Sequence, residues 1–427
     1  MRRPTNARLL APAIAVLCAA TLGLGWWEGR RHGERADGPA VPVVRVAARD
    51  GRALVEEAIR LYAAGQFPRA CDRLSRAADG DPSSASRRAA AGSCFEGWGW
   101  QALTEGRPDE ATLLFRQGLA ETPEAPALLK GLGLAAVHAG RPEDALGPLE
   151  RAVRGEPDTH VRLLLAHLYD RRDDPDRAIA HLRALLARDP GDDRARRLLD
   201  KVERERRAET GFQRDVTPRF LVKYRAARDA ETRRALGRAL EAAADQIGAA
   251  LGYVPPERLT VVLYEREQWE DVTRVHGWAT GLFDGKIRLP LGPALPPPGE
   301  LQPLVLHEVA HAAIHHLSRG RAPRWLHEGL AQALEGATVD PMLRVPGSPT
   351  LAGIEALVTD ADALRARAGY DIAHWIVRDL LDRDGLAGMR ALLARLGAGD
   401  TLADAMPRVY GLRLAEIESQ WRRLLGG

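Results

Sequence analysis

The residues with the most specific chemistry in this 427-residue chain are His307-Glu308-Val309-Ala310-His311. Four residues of helix advance about 6 Å and return to nearly the same face, so the two imidazoles can reach one tetrahedral metal ion, with zinc the natural occupant. Glu308 stands to the side of that face, where its carboxylate can take a proton from water that the ion activates. The flanking residues predict the helix itself. Leu304, Val305, Val309, Ala312 and Ile314 recur at spacings that bury one side of Leu301–Leu317. Two imidazoles leave the site incomplete, because a catalytic zinc needs a third protein ligand and an open position. The next two carboxylates in the chain are Glu328 and Glu335.

The segment around the first of these is Trp325-Leu326-His327-Glu328-Gly329-Leu330-Ala331. A W-L-x-E-G-x-A segment after H-E-x-x-H resembles the glutamate-zinc metallopeptidases, specifically the peptidase MA-like domains, over about Phe220 to Leu425. The resemblance implies that Glu328 is the third ligand of one zinc per chain, that Glu308 is the base, and that a peptide bond is hydrolysed. Glu335 lacks the matching context. The resemblance also implies that the strand around Ala279 to Phe283 pairs with an extended substrate, against the plainer reading that it only covers the helix. It further calls for an oxyanion-stabilising Tyr or His from the C-terminal helices. Tyr370 and His374 are the candidates, and Tyr370 is preferred. Gln332 stands where thermolysin-like sequences carry an Asp that orients a zinc histidine, so that support is unassigned. His315, His316 and His327 flank the motif without entering the ligand pattern.

To hold these residues the chain needs a sheet and a helical frame. β-prone stretches occur at Arg219–Tyr224, Leu259–Tyr264, Ala279–Phe283 and Lys286–Leu289, and Ala230–Leu251 reads as one helix. Asp284-Gly285 between the last two stretches predicts a two-residue hairpin turn with positive φ at both positions. The Pro-rich run Pro290–Pro303 reads as a stiff connector. Leu386–Leu425 reads as short helices that complete the domain.

Upstream lies a repeat. Gly65-Gln66-Phe67-Pro68-Arg69-Ala70, Gly106-Arg107-Pro108-Asp109-Glu110-Ala111, Gly140-Arg141-Pro142-Glu143-Asp144-Ala145 and Asp173-Asp174-Pro175-Asp176-Arg177-Ala178 follow at spacings of 41, 34 and 33. Pro82, Pro123, Pro157 and Pro190 recur in phase with them, so the period belongs to a helix-turn-helix unit. Residues 51–205 resemble tetratricopeptide repeats, although Leu replaces the family's repeat-start Trp in most copies and the first junction carries seven extra residues. Stacked repeats form an α-solenoid with a groove, which implies a protein partner; the plainer role is a spacer. Cys71 and Cys94 should lie level on neighbouring helices, close enough for a disulfide and equally suited to being small apolar core residues. Asp200–Glu209 reads as a solvated capping helix.

Leu9 to Trp27 carries no charge and follows Arg2, Arg3 and Arg8, which predicts an uncleaved membrane anchor in residues 1–30 with the bulk of the chain extracytoplasmic. A cleaved signal peptide, with Cys18-Ala19-Ala20 offering small residues for cleavage, is the second reading. Residues 31–50 read as a linker and residues 211–427 as the zinc hydrolase domain. A hydrophobic content of 45% with 28% charged residues is ordinary for globular protein, and abundant Ala and Leu point to a mainly α fold with a small α+β catalytic part. The net charge of +3 is spread without a dense basic block, which excludes nucleic acid as an expected partner. Two functions follow as expectations. One is a membrane-tethered zinc peptidase whose repeats recruit a protein partner or substrate, with a cell-wall amide as the variant target. The other is a repeat-based assembly module with a structural or silent zinc domain.

Overall fold

The computed structural model describes residues 49–225, 230–274, 281–291, 295–338 and 350–426. The anchor and most of the linker expected before residue 49 lie outside the described residues, as do Ala279 and Thr280 of the expected substrate strand. Among the described residues no helix is long and apolar enough to cross a membrane. The chain divides into two compact units, one of residues 49–170 and 174–199, the other of residues 171–173 and 200–426.

The first unit is built from antiparallel helix pairs. α1 (Arg49–Ala63) pairs with α2 (Phe67–Asp79), α3 (Ala85–Thr104) with α4 (Pro108–Glu121), and α5 (Pro126–His138) with α6 (Pro142–Gly155). α7 (Thr159–Arg171) and α8 (Pro175–Leu186) follow, then the start of α9 (Asp193–Ala208), whose residues from Asp200 belong to the second unit. The recurring sequence makes these turns directly. Gly65, Gly106 and Gly140 take φ of 70°, 76° and 77° between the helices of a pair, and Asp173 takes φ 61° at the fourth turn. That backbone region is open to Gly and, among side-chain-bearing residues, best tolerated by Asn and Asp. Pro follows within the first two helical positions, where its missing N–H costs nothing. Ala70, Ala111, Ala145 and Ala178 are fully buried, so the paired helices approach closely at these small residues. The seven extra residues of the first junction lie in α3, which has 20 residues where α5 and α7 have 13. Cys71 on α2 and Cys94 on α3 are disulfide-bonded, with Cα atoms 5.5 Å apart, inside the cluster of Ala58, Leu74 and Ala90.

The second unit carries a five-stranded mixed sheet of order β1-β2-β3-β5-β4. Its strands are β1 (Gln213–Val216), β2 (Phe220–Tyr224), β3 (Leu259–Leu263), β4 (Leu282–Phe283) and β5 (Ile287–Leu289). β2, β3 and β5 run parallel, and the two edge strands run antiparallel to their neighbours. β1, mostly exposed and polar, carries no apolar alternation and was not expected. The β4–β5 turn differs from expectation. Phe283 pairs with Ile287, so the loop has three residues, and among them only Gly285 has positive φ, at 106°. Charged residues of the sheet are buried in pairs: Arg288, fully buried, bonds Glu205 at 2.8 Å and also Asp284. Glu205 and Val202 are themselves buried, so the charged stretch after Asp200 continues α9 as a half-buried helix rather than a solvated one.

α10 (Ala230–Leu251) matches its expected bounds, and α11 (Arg266–Thr273) follows β3. α12 (Pro298–Leu317) begins three residues earlier than expected, so the second half of the Pro-rich run is helix; its prolines fall in the opening turns. α13 (Arg324–Glu335), α14 (Leu351–Leu357), α15 (Ala363–Ala398), α16 (Leu402–Tyr410) and α17 (Leu414–Gly426) complete the unit. α15 is two helices joined across a break at Asp384 and Gly385. Val305, Val309 and Ile314 of α12 join Val261 and Ile287 of the sheet and Ile372 and Ile376 of α15 in one core.

Candidate metal centre

α12 and α13 pack together and bring the expected ligands to one point. His307 and His311 of α12 are fully buried, and Glu328 of α13 is 2% exposed. Glu328 Oε2 lies 3.6 Å from Nε2 of His307 and 3.6 Å from Nε2 of His311. The three donor atoms all lie within 4.8 Å of one another. Atoms bonded to one zinc at about 2.0–2.1 Å in a tetrahedral arrangement stand roughly 3.4 Å apart, so this spacing fits a single ion. His307 Nε2 and Glu328 Oε2 are buried without a hydrogen-bond partner, an arrangement that costs free energy unless a cation joins them.

The placement of Glu328 is fixed by contacts on either side of it in the first half of α13. The free N–H groups of Arg324 and Trp325 donate to the Glu355 carboxylate of α14 at 3.0 and 3.1 Å. This caps the helix without a side chain from its own N-cap, Pro323. Trp325, 2% exposed, packs edge-on against Trp421 of α17. Gly329 meets α15 so closely that a Cβ there would overlap the carbonyl oxygen of Ala373 and come within 2.8 Å of Val377 Cγ2. The W-L-x-E-G segment is thus a helix start, a core anchor, a candidate ligand and a helix-crossing point in succession.

Support for the histidines comes from residues the sequence did not assign to it. Glu335 Oε2 accepts from His307 Nδ1 at 2.9 Å, which turns Nε2 toward Glu328. Glu335 thus supplies the carboxylate–imidazole hydrogen bond for which position 332 offers no carboxylate. Its spacing of seven from Glu328 puts it two turns along the same helix face, and that spacing was the available signal. Gln332 is buried with Oε1 unpartnered. His327, also buried, faces His311 with 3.5 Å between their Nδ1 atoms.

Glu308 is fully buried, and among the described residues neither of its carboxylate oxygens has a hydrogen-bond partner. Burial, with Glu328 and Glu335 nearby, pushes its carboxyl up to about 8. Burial likewise raises Glu328 to about 7. Burial alone would lower His307, but the Glu335 and Glu328 carboxylates outweigh it and raise the imidazole to about 10. The buried cluster is short of positive charge, the condition a divalent cation relieves.

Tyr370, 1% exposed on α15, donates its hydroxyl to the Val358 carbonyl at 3.3 Å. His374, one turn later, is 3% exposed and its Nε2 has no hydrogen-bond partner. Burial and Arg378 lower His374 to about 4, against the pull of Glu335, so its imidazole is neutral at pH 7.

The first unit matches tetratricopeptide repeat families over residues 102–168 and 159–199. Similar solved structures include YrrB, described as a TPR protein with an unusual peptide-binding site. It is 24% identical over 37% of this chain and 78% of its own, with a TM-score of 0.30. MamA from AMB-1 is 21% identical over 36% of this chain and 80% of its own, with a TM-score of 0.28. A tetratricopeptide repeat protein from Parabacteroides merdae is 12% identical over 82% of this chain and 99% of its own, with a TM-score of 0.32. A search of the curated proteins finds no match. On the family matches, residues 102–199 of the mainly helical chain are tetratricopeptide repeats, the kind of array that binds protein partners.

Proposed function

We propose that the chain is a zinc-dependent peptidase, with His307, His311 and Glu328 as the metal ligands and Glu308 as the general base. The observation that carries this reading is the convergence of three buried donor atoms within 4.8 Å, with a buried carboxylate from the residue next to one of them. Zinc bound there supplies Lewis acidity, activating a water and polarising a carbonyl. Glu308 takes the proton from the attacking water and hands it to the leaving nitrogen. Glu335 and His327 hold the two imidazoles in place. Tyr370 and His374 are the candidates for the group that steadies the oxyanion, Tyr370 by resemblance and His374 by its unpartnered Nε2.

A second reading is a repeat-based assembly module with a structural or silent metal domain. The family matches, which fall in the repeats, favour it over the peptidase reading; the geometry of the second unit favours the peptidase. The disulfide Cys71–Cys94 supports an oxidising, extracytoplasmic location for either, with attachment to a membrane through the N-terminal segment. A peptide or protein substrate and a partner held by the repeats are part of the proposal, and nucleic acid is not.

Metal content of the purified full chain, beside Glu328→Ala and Glu308→Ala, separates the readings. About one zinc in the wild type and in Glu308→Ala, with marked loss in Glu328→Ala, is the expected result. Hydrolysis of a quenched-fluorescence peptide pool by the wild type and not by Glu308→Ala completes it. A chain that takes up no zinc after reconstitution overturns the peptidase reading, and zinc with no hydrolysis leaves the assembly module.

A further inference from the structure

Gly281 lies one residue before β4, the edge strand of the sheet, and is buried. What the position lacks is room. A Cβ built on Gly281 would overlap Oε1 and Cδ of Glu308 and come within 3.0 Å of Oε2, and these are its three nearest heavy atoms. The Glu308 carboxylate therefore lies directly against the Gly281 backbone. Among the described residues neither carboxylate oxygen has a hydrogen-bond partner, so packing sets its position. A glycine beside a strand commonly marks such a close approach.

We propose that Gly281 is a positioning residue for the general base: the absence of a side chain makes the space in which the Glu308 carboxylate rests beside His307 and Glu328. The inference rests on the hydrolase reading for its catalytic consequence, while the steric coupling of the two residues stands independently of it. A methyl group at position 281 forces Glu308 into another rotamer, away from the water it must deprotonate. The metal ligands, carried by other side chains, keep their geometry.

The test is a double-mutant cycle on the full chain with Gly281→Ala, Glu308→Ala and the double variant. Denaturant unfolding is followed in chelator, so neither metal nor substrate enters the measurement. Gly281→Ala is expected to lower the unfolding midpoint when Glu308 is present and to leave it unchanged in the Glu308→Ala background. Should Gly281→Ala fail to fold, recovery of a folded protein in the double variant is the same result. With zinc, Gly281→Ala is expected to bind as much metal as the wild type. Its kcat on a quenched-fluorescence peptide pool should fall roughly 100-fold with little change in apparent KM. An equal loss of midpoint in both backgrounds, or a wild-type kcat for Gly281→Ala, overturns the proposal. A wild type without zinc or hydrolysis removes the peptidase reading instead, and the unfolding cycle still decides the coupling.

Discussion

Nδ1 of His307 and Oε2 of Glu335 are 2.9 Å apart, a partly buried contact between α12 and α13 that leaves the other imidazole nitrogen facing Glu328. A histidine that donates from Nδ1 to a carboxylate is locked in the tautomer whose Nε2 lone pair can bind a metal, and it becomes the more basic ligand. Glu335→Gln keeps a hydrogen-bonding group of the same shape and removes the charge. Zinc affinity, measured by competition with a chromophoric chelator, should weaken about 10–100-fold. An unchanged affinity would mean that packing alone orients His307.

The same buried charges give the metal-free protein a defined pH response. His307, raised from 6.5 to about 10, and Glu308, raised from 4.5 to about 8, bind more protons folded than unfolded above neutrality. Their contribution is lost as pH rises through those values. His315 and His327, both lowered to about 3 chiefly by burial, bind fewer protons folded than unfolded below 6.5. Their contribution is lost as pH falls. The thermal midpoint of chelator-treated protein should therefore peak between about pH 6 and 7 and decline on either side. Zinc should flatten the alkaline decline, because it takes the place of the protons.

What the sequence made legible follows from which features are local. The spacing of His307 and His311 on one helix already brings those two candidate ligands together, Glu328 was implied by the W-L-x-E-G resemblance, and the repeat turns carry their Gly and Pro in phase. The seven-residue excess was visible, whereas its location in α3 was not, since extra residues can enter a helix or a loop equally well. β1 escaped because its exposed, polar residues lack alternation; its strand state comes from pairing with β2. Glu335 was seen as a rival ligand because sequence alone does not tell which nitrogen of His307 it faces. The space beneath Glu308 depends on a strand that meets α12 only in three dimensions.

Gly329 is the position where helix propensity and packing oppose each other. Replacing a mid-helix Gly by Ala ordinarily gains about 1 kcal/mol. Here the new methyl would overlap the Ala373 carbonyl, a backbone atom that cannot turn aside. Overpacking of this kind costs about 1–3 kcal/mol, so the net change for Gly329→Ala should be destabilising. A raised denaturant midpoint would show that α13 and α15 separate easily, and zinc content would then report whether Glu328 moves with α13.

The disulfide joins residues 23 apart in sequence, a loop whose closure contributes about 3 kcal/mol in the chain-entropy account. Cys94→Ser should lower the midpoint of the repeat transition by a corresponding amount and leave zinc content unchanged. Equal midpoints with and without reductant would show that Cys71 and Cys94 serve only as core residues.

The proposed peptidase has two candidates for the group that faces the oxyanion, one turn apart on α15. Tyr370 has its hydroxyl engaged with the Val358 carbonyl at 3.3 Å, and to serve catalysis it would have to break that buried contact. A lost hydrogen bond of this kind costs about 1 kcal/mol, so Tyr370→Phe should lower stability modestly and change kcat by no more than about threefold. His374 is buried, neutral and unpartnered at Nε2, and Ala373 beside it touches Gly329, the neighbour of Glu328. A preorganised neutral donor removed from such a position costs roughly 100-fold in kcat. His374→Ala should show that loss at unchanged zinc content, read on the same peptide pool. The reverse pattern, with kcat falling in Tyr370→Phe and not in His374→Ala, would show that substrate binding draws the tyrosine hydroxyl away from Val358.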